Sequence, residues 1–208
     1  MAEGRLAKDP FNIVITGVGG QGNVMASRVL ANMLAAAGYR ITIGETFGAS
    51  QRGGSVMSHI RVSQTSVWSP QIPCGGADIV VSLEPVEALR VLPAYGNPQV
   101  RVLTNTRPIY PVGVIAGEQE YPDAAALEEA IAGLCSGLWL VDATERAVAL
   151  GNPILANIVM IGALGAIGEL PIGRDAFRDV VARTLPPEKL DVNLQAYDEG
   201  GRILRRRG

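Results

Sequence analysis

Three glycines near the start of the chain, Gly17, Gly19 and Gly22, have the spacing G-x-G-x-x-G within the segment GVGGQG. The apolar run FNIVIT (residues 11–16) precedes them, and a stretch with helical spacing of apolar residues (23–37) follows. A turn between a strand and a helix brings free backbone N–H groups together with the positive end of the helix dipole, which attracts phosphate. The spacing therefore predicts a turn that can bind a phosphorylated ligand.

A nicotinamide dinucleotide is one candidate for that ligand. Glu45 lies 23 residues after the last of these glycines, at the end of a predicted strand (41–45), where dinucleotide-binding folds place a ribose-binding carboxylate. The additional Gly20 and Gln21 are unusual for that fingerprint, and the single histidine, His59, falls in a predicted strand where it supplies no hydride-transfer site. A glycine turn that only packs the helix against the sheet is a further alternative.

A second glycine-rich loop follows the second predicted strand and contains an arginine. A guanidinium flanked by glycines can reach a phosphate or a carboxylate in a fork geometry. In a doubly wound sheet this loop and the first turn lie at the same carboxyl edge, where such folds bind ligands. The alternative is a surface loop without a ligand. The candidate residues of this loop are Ser50, Gln51, Arg52, Gly53 and Gly54.

The rest of the pattern alternates strands and helices and then becomes helical. This alternation predicts an α/β fold: a Rossmann-like, mostly parallel sheet with helices on both faces and a helical C-terminal third. We expect one domain over residues 1–208, with a flexible N-terminus (1–10), an α/β core (11–143) and a helical part (144–208). Further strands are predicted over 56–62, 77–85, 100–106 and 138–144, with 67–73 as a hairpin partner or irregular edge, and helices over 86–92, 123–133, 154–167, 175–184 and 188–204.

Composition excludes several classes of function. A net charge of −2 is not the footprint of a nucleic-acid-binding protein. Two cysteines and one histidine are too few for a self-contained iron–sulfur or zinc site, which needs about four ligands. The longest apolar run, residues 154–167, is too short to span a bilayer, and the first residues lack the apolar stretch of a secretory signal. We therefore expect a cytoplasmic protein that contacts neither nucleic acid nor membrane.

Several other residues have simpler structural interpretations. His59 is expected to be a satisfied structural histidine, Cys74 an unreactive loop thiol and Cys135 a core residue. The small residues of the 154–167 helix permit close packing in the core or against another subunit. The basic end, residues 205–207, is expected to be a solvated terminus.

Three segments in order carry a family resemblance: ITGVGGQG, GETFGASQRGGSVMSHIR and VNLQAYDEG (residues 192–200). Together they resemble the gamma domain of 2-oxoacid:ferredoxin oxidoreductases, over about residues 11–204. Within that family the chain is most similar to the small (beta) subunits of indolepyruvate ferredoxin oxidoreductases.

The resemblance implies a subunit of a larger enzyme. Such enzymes decarboxylate a 2-oxoacid on thiamine diphosphate, pass electrons through [4Fe–4S] clusters to ferredoxin and release an acyl-CoA. This sequence lacks the GDG-and-asparagine motif for thiamine diphosphate and Mg²⁺, and it lacks a cysteine cluster. The resemblance therefore places these groups in a larger alpha subunit, leaves the isolated chain inactive and without a cofactor of its own, and assigns it no catalytic residue.

The implied role of this chain is to pack against the catalytic domains and to help form the CoA site. By position, the two loops would contact CoA. Arg52 is expected to meet a phosphate of CoA or to close over the thiamine site; alternatively, Arg52 and Gln51 only hold the subunit interface. The residues assigned in this way are Gly17, Gly19, Gly20, Gln21 and Gly22 in the first turn, and Ser50, Gln51, Arg52, Gly53 and Gly54 in the second loop.

Overall fold

The computed structural model describes residues 6–45 and 54–207, which form a sheet flanked by helices. The strands are β1 (Phe11–Val18), β2 (Arg40–Glu45), β3 (Ser55–Ser63), β4 (Ile79–Ser82), β5 (Arg101–Asn105), β6 (Gly137–Val141) and β7 (Arg205–Arg207). The helices are α1 (Asn23–Ala36), α2 (Pro85–Tyr95), α3 (Val112–Ile115), α4 (Ala124–Ala132), α5 (Ala143–Ala149), α6 (Ala156–Ile167), α7 (Arg174–Thr184) and α8 (Leu190–Ile203).

The sheet has the strand order β2-β3-β1-β4-β5-β6-β7. β1, β4, β5 and β6 pair in parallel, and β2 shares their direction because β3 is antiparallel to both β1 and β2. β7 is an antiparallel strand at the other edge. The predicted mostly parallel sheet is confirmed.

The predicted strands on either side of the first helix, at 11–16 and 41–45, are present as β1 and β2, but another strand separates them. β2 runs parallel to β1 but is not its neighbour, because β3 lies between them. β2 ends at Glu45 and β3 begins at Ser55, which leaves too few residues for the helical crossover that a parallel neighbour requires. The two strands therefore pair as an antiparallel hairpin.

Alternate residues of the central strands face two separate hydrophobic layers, as the pleat of a strand requires. Ile13 and Ile15 of β1 pack in a cluster that includes α1, α6, α7 and α8. Val14, between them, packs in a second cluster with α2 and α4. Helices thus cover both faces, as predicted.

One predicted segment differs from the structure. The 67–73 segment contains no strand, and Pro70 and Pro73 cannot donate to a ladder. The basic end is exposed to solvent, as predicted, but it also forms strand β7. Arg205 Nη2 lies 2.8 Å from Asp142 Oδ2, and the Arg206 guanidinium stacks on the Trp139 ring. Over the residues that the structure describes, no helix combines the length and the apolar character needed to cross a membrane.

Candidate functional site

The glycine-rich turn joins the end of β1 to the start of α1. Gly20 and Gly22 have φ angles of 103° and 85°, a region that L side chains rarely adopt. A Cβ on Gly20 would meet no atom within 4 Å, whereas a Cβ on Gly22 would overlap the amide of Asn157 on α6. The turn is therefore open at Gly20 and closed against the helical layer at Gly22.

Gln21 holds this turn from the inside. Its Oε1 accepts a hydrogen bond from the Val18 N–H (2.7 Å), and its Nε2 donates to the Leu83 carbonyl just after β4 (2.8 Å). A Cβ on Gly17 would lie only 2.7 Å from Gln21 Oε1, so glycine is required where the side chain crosses the strand. Both ends of the Gln21 amide are thus bonded within the chain, and its geometry is that of a brace between β1 and β4.

The N-terminus of α1 opens at this turn without a protein cap. Within residues 6–45 and 54–207, no side chain caps α1, and its first turn carries no acidic residue. Asn23 is buried; its Nδ2 donates to the Val56 carbonyl (3.1 Å), and its Oδ1 has no hydrogen-bond partner. The first N–H groups of a helix have no intrahelical partners, so together with the helix dipole they can receive an anion here.

The end of the second loop lies against this turn. The Gly54 carbonyl accepts a hydrogen bond from the Gly19 N–H (2.8 Å), and Ser55 pairs with Val18 across β3 and β1. The shared carboxyl edge predicted for the two loops is therefore present at Gly54. The remaining candidates of that loop lie outside the described residues: Ser50, Gln51, Arg52 and Gly53.

Glu84 is a buried carboxylate at this edge that the sequence analysis did not select. It precedes α2 as its N-cap, and its Oε2 accepts from the Glu87 N–H (3.0 Å). Its Oε1 accepts from the Ile109 N–H (3.3 Å) and from the Tyr121 hydroxyl. One carboxylate therefore ties the start of α2 to both ends of the segment between β5 and α4.

Glu87 is a second buried carboxylate, one turn into α2. Its Oε2 accepts a hydrogen bond from the Ser55 hydroxyl (2.5 Å), and its Oε1 lies 3.3 Å from Arg90 Nε. Burial raises the pKa of Glu87, although the Ser55 hydrogen bond and the Arg90 charge act in the opposite direction. The signal that could have revealed both residues is the segment EPVE directly after a buried strand, with a proline at the first helical position.

Two cavities border the segment between β5 and α4. One, of about 290 Å³, lies beside the glycine turn between the start of β3 and the side chains of Glu87 and Arg90. The other, of about 320 Å³, lies between the ends of β5 and β6 and the start of α4. Tyr110 and Tyr121 line both cavities. Both cavities therefore lie at the carboxyl edge of the parallel strands.

Glu45 does not join this site. It pairs with Ser58 of β3, which in turn pairs with Ile15 of β1. Two strand spacings, about 10 Å, therefore separate Glu45 from β1, and its register position is three residues before the turn begins. This strand order does not place Glu45 where a dinucleotide fold holds its ribose-binding acid.

His59 has the structural role that the sequence predicts. It is buried, its Nδ1 accepts a hydrogen bond from the Ile72 N–H (3.2 Å), and its ring packs edge-on against Tyr95. Burial lowers the pKa of this imidazole. Cys74 is exposed and Cys135 is only half-buried, so Cys135 lies at the border of the core rather than inside it. In the part of the chain that the structure describes, no group of three or more His, Cys, Asp or Glu side chains could hold a metal.

Comparison with known proteins identifies the family. The model of the family described as pyruvate ferredoxin/flavodoxin oxidoreductase matches residues 12–203. The chain belongs to this family. The resemblance drawn from the three sequence segments is therefore confirmed.

Individual relatives of the family are similar over most of their length. The indolepyruvate oxidoreductase subunit IorB of Pyrococcus horikoshii is 40% identical over 91% of this chain and 94% of its own length. The subunit of the same name from Thermococcus kodakarensis is 38% identical with the same coverage. The 2-oxoglutarate synthase subunit KorC of Archaeoglobus fulgidus is 29% identical over 94% of this chain and 88% of its own.

Solved structures share the fold. The pyruvate oxidoreductase subunit PORC of Thermotoga maritima superposes with a TM-score of 0.73 at 22% identity, over 97% of this chain and 100% of that one. The 2-oxoglutarate:ferredoxin oxidoreductase of Magnetococcus marinus, solved with 2-oxoglutarate, coenzyme A and succinyl-CoA bound, superposes with a TM-score of 0.70 at 20% identity. That match covers 94% of this chain and 31% of the longer one. The predicted fold class is confirmed.

Proposed function

We propose that this chain is the small subunit of an indolepyruvate:ferredoxin oxidoreductase. The complex would convert an arylpyruvate, CoA and oxidised ferredoxin to an acyl-CoA, CO2 and reduced ferredoxin. Relatives that are 31% to 40% identical over 91% of this chain carry the indolepyruvate oxidoreductase name, which favours this substrate over other 2-oxoacids.

Decarboxylation and electron transfer belong, in this proposal, to a larger alpha subunit. That subunit would hold thiamine diphosphate with Mg²⁺, which supplies the carbanion chemistry, and the [4Fe–4S] clusters that lead to ferredoxin. The two cysteines of this chain are fewer than the four thiolates that a cluster requires, which supports this division. No catalytic residue is assigned to the small subunit.

The small subunit contributes binding groups for CoA. The observation that carries this role is the uncapped N-terminus of α1 at an open turn, Gly20. It lies on the carboxyl edge beside the paired strands β1 and β4, which are followed by helices on opposite faces of the sheet. Backbone N–H groups there can bind a CoA phosphate without a side chain in the way. Gly17 and Gln21 keep the turn in position, and Gly19 joins it to Gly54.

Arg52 supplies the side-chain part of the same site in this proposal. Its loop begins after β2 and ends at Gly54, beside the turn. A guanidinium can bind a phosphate through two parallel hydrogen bonds. In the candidate CoA site, Gly20 is thus the open backbone position, and the residues that hold the turn are Gly17, Gly19, Gln21 and Gly22. The second loop contributes Ser50, Gln51, Arg52, Gly53 and Gly54.

Affinity purification of the tagged chain from its own host under anaerobic conditions, followed by native mass spectrometry, tests the assembly. We expect a stoichiometric larger subunit that contains thiamine diphosphate and iron–sulfur clusters. A lone monomer or homodimer that retains a nicotinamide or flavin nucleotide would contradict the proposal.

Steady-state kinetics of the purified complex tests the CoA role. The Arg52→Ala substitution is expected to raise the KM for CoA by about ten- to hundredfold, since a charge-assisted hydrogen bond to phosphate contributes about 1.5–3 kcal/mol. Arg183→Ala, which removes an exposed guanidinium from α7, is the matched control and should leave the KM for CoA unchanged. A complex with Arg52→Ala and unaltered KM and kcat would leave Arg52 without a role in CoA binding.

A further inference from the structure

Large apolar side chains are concentrated on the surface of the segment between β5 and α4. Ile109, Tyr110, Val112 and Ile115 are 38%, 52%, 82% and 75% exposed, and we call these four residues the 109–115 patch. Across residues 6–45 and 54–207, ten large hydrophobic residues are exposed, and four of them fall within these seven positions. Single exposed apolar residues are ordinary, but a contiguous group marks an interaction site.

The segment that carries the patch is tied down at both ends. The buried Glu84 carboxylate accepts hydrogen bonds from the Ile109 N–H and the Tyr121 hydroxyl. The Tyr110 ring packs edge-on against Tyr121, with centroids 5.1 Å apart, and the Gly113 carbonyl accepts from two backbone N–H groups (2.8 and 3.0 Å). The apolar side chains are thus presented by a braced segment, and such pre-organisation lowers the entropic cost of binding.

The patch adjoins the proposed CoA site. Glu84 is the N-cap of α2, and one turn further on Glu87 holds Ser55 at the start of β3. Ser55 is next to Gly54, whose carbonyl binds the glycine turn. The cavity of about 290 Å³ lies between these groups and is lined by Ile109, Tyr110 and Val112 of the patch. A molecule seated on the patch would therefore border the turn.

The charges around the patch define the partner's chemistry. Three exposed carboxylates, Glu118, Glu120 and Asp123, belong to the same segment, and there are two exposed guanidinium groups near the patch: Arg107 in that segment and Arg90 on the wall of the shared cavity. The carboxylates outnumber the guanidinium groups, so two copies of this chain that met through the patch would bring net acidic rims together, which opposes self-association. The partner surface that complements the patch is therefore apolar and has lysines or arginines at its border.

We propose that the 109–115 patch is the docking surface for the larger catalytic subunit, which presents there an apolar surface edged by basic side chains. This inference rests on the proposed function, because the larger subunit is the partner that it names. Docking at this position places the glycine turn, which is part of the proposed CoA site, at the boundary between the two subunits.

The test compares two exposed valines in the holoenzyme. Val112 is 82% exposed in the patch, and Val67 is 70% exposed after β3, at the opposite edge of the sheet. The complex is purified with Val112→Ser/Ile115→Ser or with Val67→Ser, and mass photometry gives the concentration at which half of it has dissociated. We expect that concentration to rise about tenfold or more for the patch variant and less than about twofold for Val67→Ser. Glu120→Lys should also weaken the complex, and added salt should lessen that defect.

Each outcome decides one point. Because these side chains project into solvent, the far-UV circular dichroism of the variants should match wild type, which separates weakened docking from misfolding. A patch variant that dissociates like wild type would overturn the docking surface while leaving the subunit assignment intact. A wild-type homodimer that the patch variant abolishes would assign the surface to a second copy and also overturn it. A wild-type chain that purifies without any larger subunit would instead contradict the proposed function.

Discussion

Two glycine-dependent regions of this molecule use the same residue for opposite purposes. Where α6 crosses α8, a Cβ on Gly162 would overlap the Tyr197 carbonyl, and a Cβ on Gly200 would overlap that of Val159. At the turn after β1, a Cβ on Gly20 would meet nothing within 4 Å. Glycine lets two helix backbones touch in the first region and leaves the backbone accessible in the second.

Two of the segments that carry the family resemblance, VNLQAYDEG and GVGGQG, have different physical origins. The late segment VNLQAYDEG lies on α8, and its Tyr197 and Gly200 form the helix contact just described. Tyr197 also stacks on Phe177, with ring centroids 4.5 Å apart. That part of the resemblance therefore reflects packing within the chain. The GVGGQG part combines packing at Gly17 and Gly22 with an open position at Gly20.

The largest effect is expected at the helix contact. Gly200→Ala should lower the free energy of unfolding by about 3 kcal/mol, because α6 and α8 must separate to admit the methyl group. Gly201→Ala is the matched control on the next residue, where a Cβ would lie 3.5 Å from Ala166 Cβ in ordinary contact. That change should stabilise the helix by up to about 1 kcal/mol. Urea denaturation measures both, and equal effects would show that the contact is not tight.

The next largest effect is expected at Gly22 in the glycine turn, where backbone strain and steric overlap combine. Gly22→Ala places a side chain at φ 85° and against Asn157, and we expect a loss of about 2–3 kcal/mol. In an Asn157→Ala background the overlap is absent, so the same change should cost only about 1–2 kcal/mol of backbone strain. A double-mutant cycle measures this coupling, and additive effects would place Asn157 outside the contact.

Gly20 and Gly38 separate strain from ligand binding. Both have positive φ and open space around them, at opposite ends of α1. Gly20→Ala and Gly38→Ala should each cost about 1–2 kcal/mol of stability. Only Gly20→Ala should raise the KM for CoA in the complex. Equal KM values for the two variants would show that the turn does not contact CoA.

The smallest effect concerns pH at Glu87, the carboxylate that holds Ser55 beside the turn. Because burial raises its pKa, the folded chain binds this proton more tightly than the unfolded chain. The wild-type free energy of unfolding should therefore lose a contribution as pH rises from the ordinary carboxyl pKa through the raised value. Glu87→Gln, which does not ionise, should reduce that slope by the Glu87 share, while Glu169, whose pKa burial also raises, keeps its own contribution. Denaturation at a series of pH values measures it.

The exposed Glu129 on α4 provides the control for this titration. Glu129→Gln should leave the pH dependence of unfolding as it is in wild type. A slope in Glu87→Gln equal to that of wild type would assign the pH effect to other groups.

Local pattern was sufficient for most helices and strands. The apolar run before GVGGQG became β1, the periodic stretch after it became α1, and Asp123 became the N-cap of the α4 helix predicted beside it. These elements follow from residues near in sequence, because capping and side-chain periodicity are local properties. The 67–73 segment, predicted as a hairpin partner or an irregular edge, was the exception, because it forms no strand and its two prolines cannot donate to a ladder.

The candidate site was predictable only in part. The glycine turn and its carboxyl-edge position next to Gly54 could be inferred, because glycine spacing and strand direction determine them. The roles of Glu84 and Glu87 could not, since their partners Ile109, Tyr121 and Ser55 lie 25, 37 and 32 residues away. Whether such a carboxylate is buried depends on which loops meet at one edge of the sheet.

The sequence alone therefore determined the alternation of elements, the glycine turn and the family to which the three segments point. Only the tertiary structure decided that β3 separates β2 from β1, that the basic end forms β7, and that Glu84 braces an exposed apolar segment beside the turn. The physical reason is the range of the interactions. Periodicity, capping and turn conformation act over a few residues, whereas strand order and buried hydrogen bonds join residues that only the folded sheet brings together.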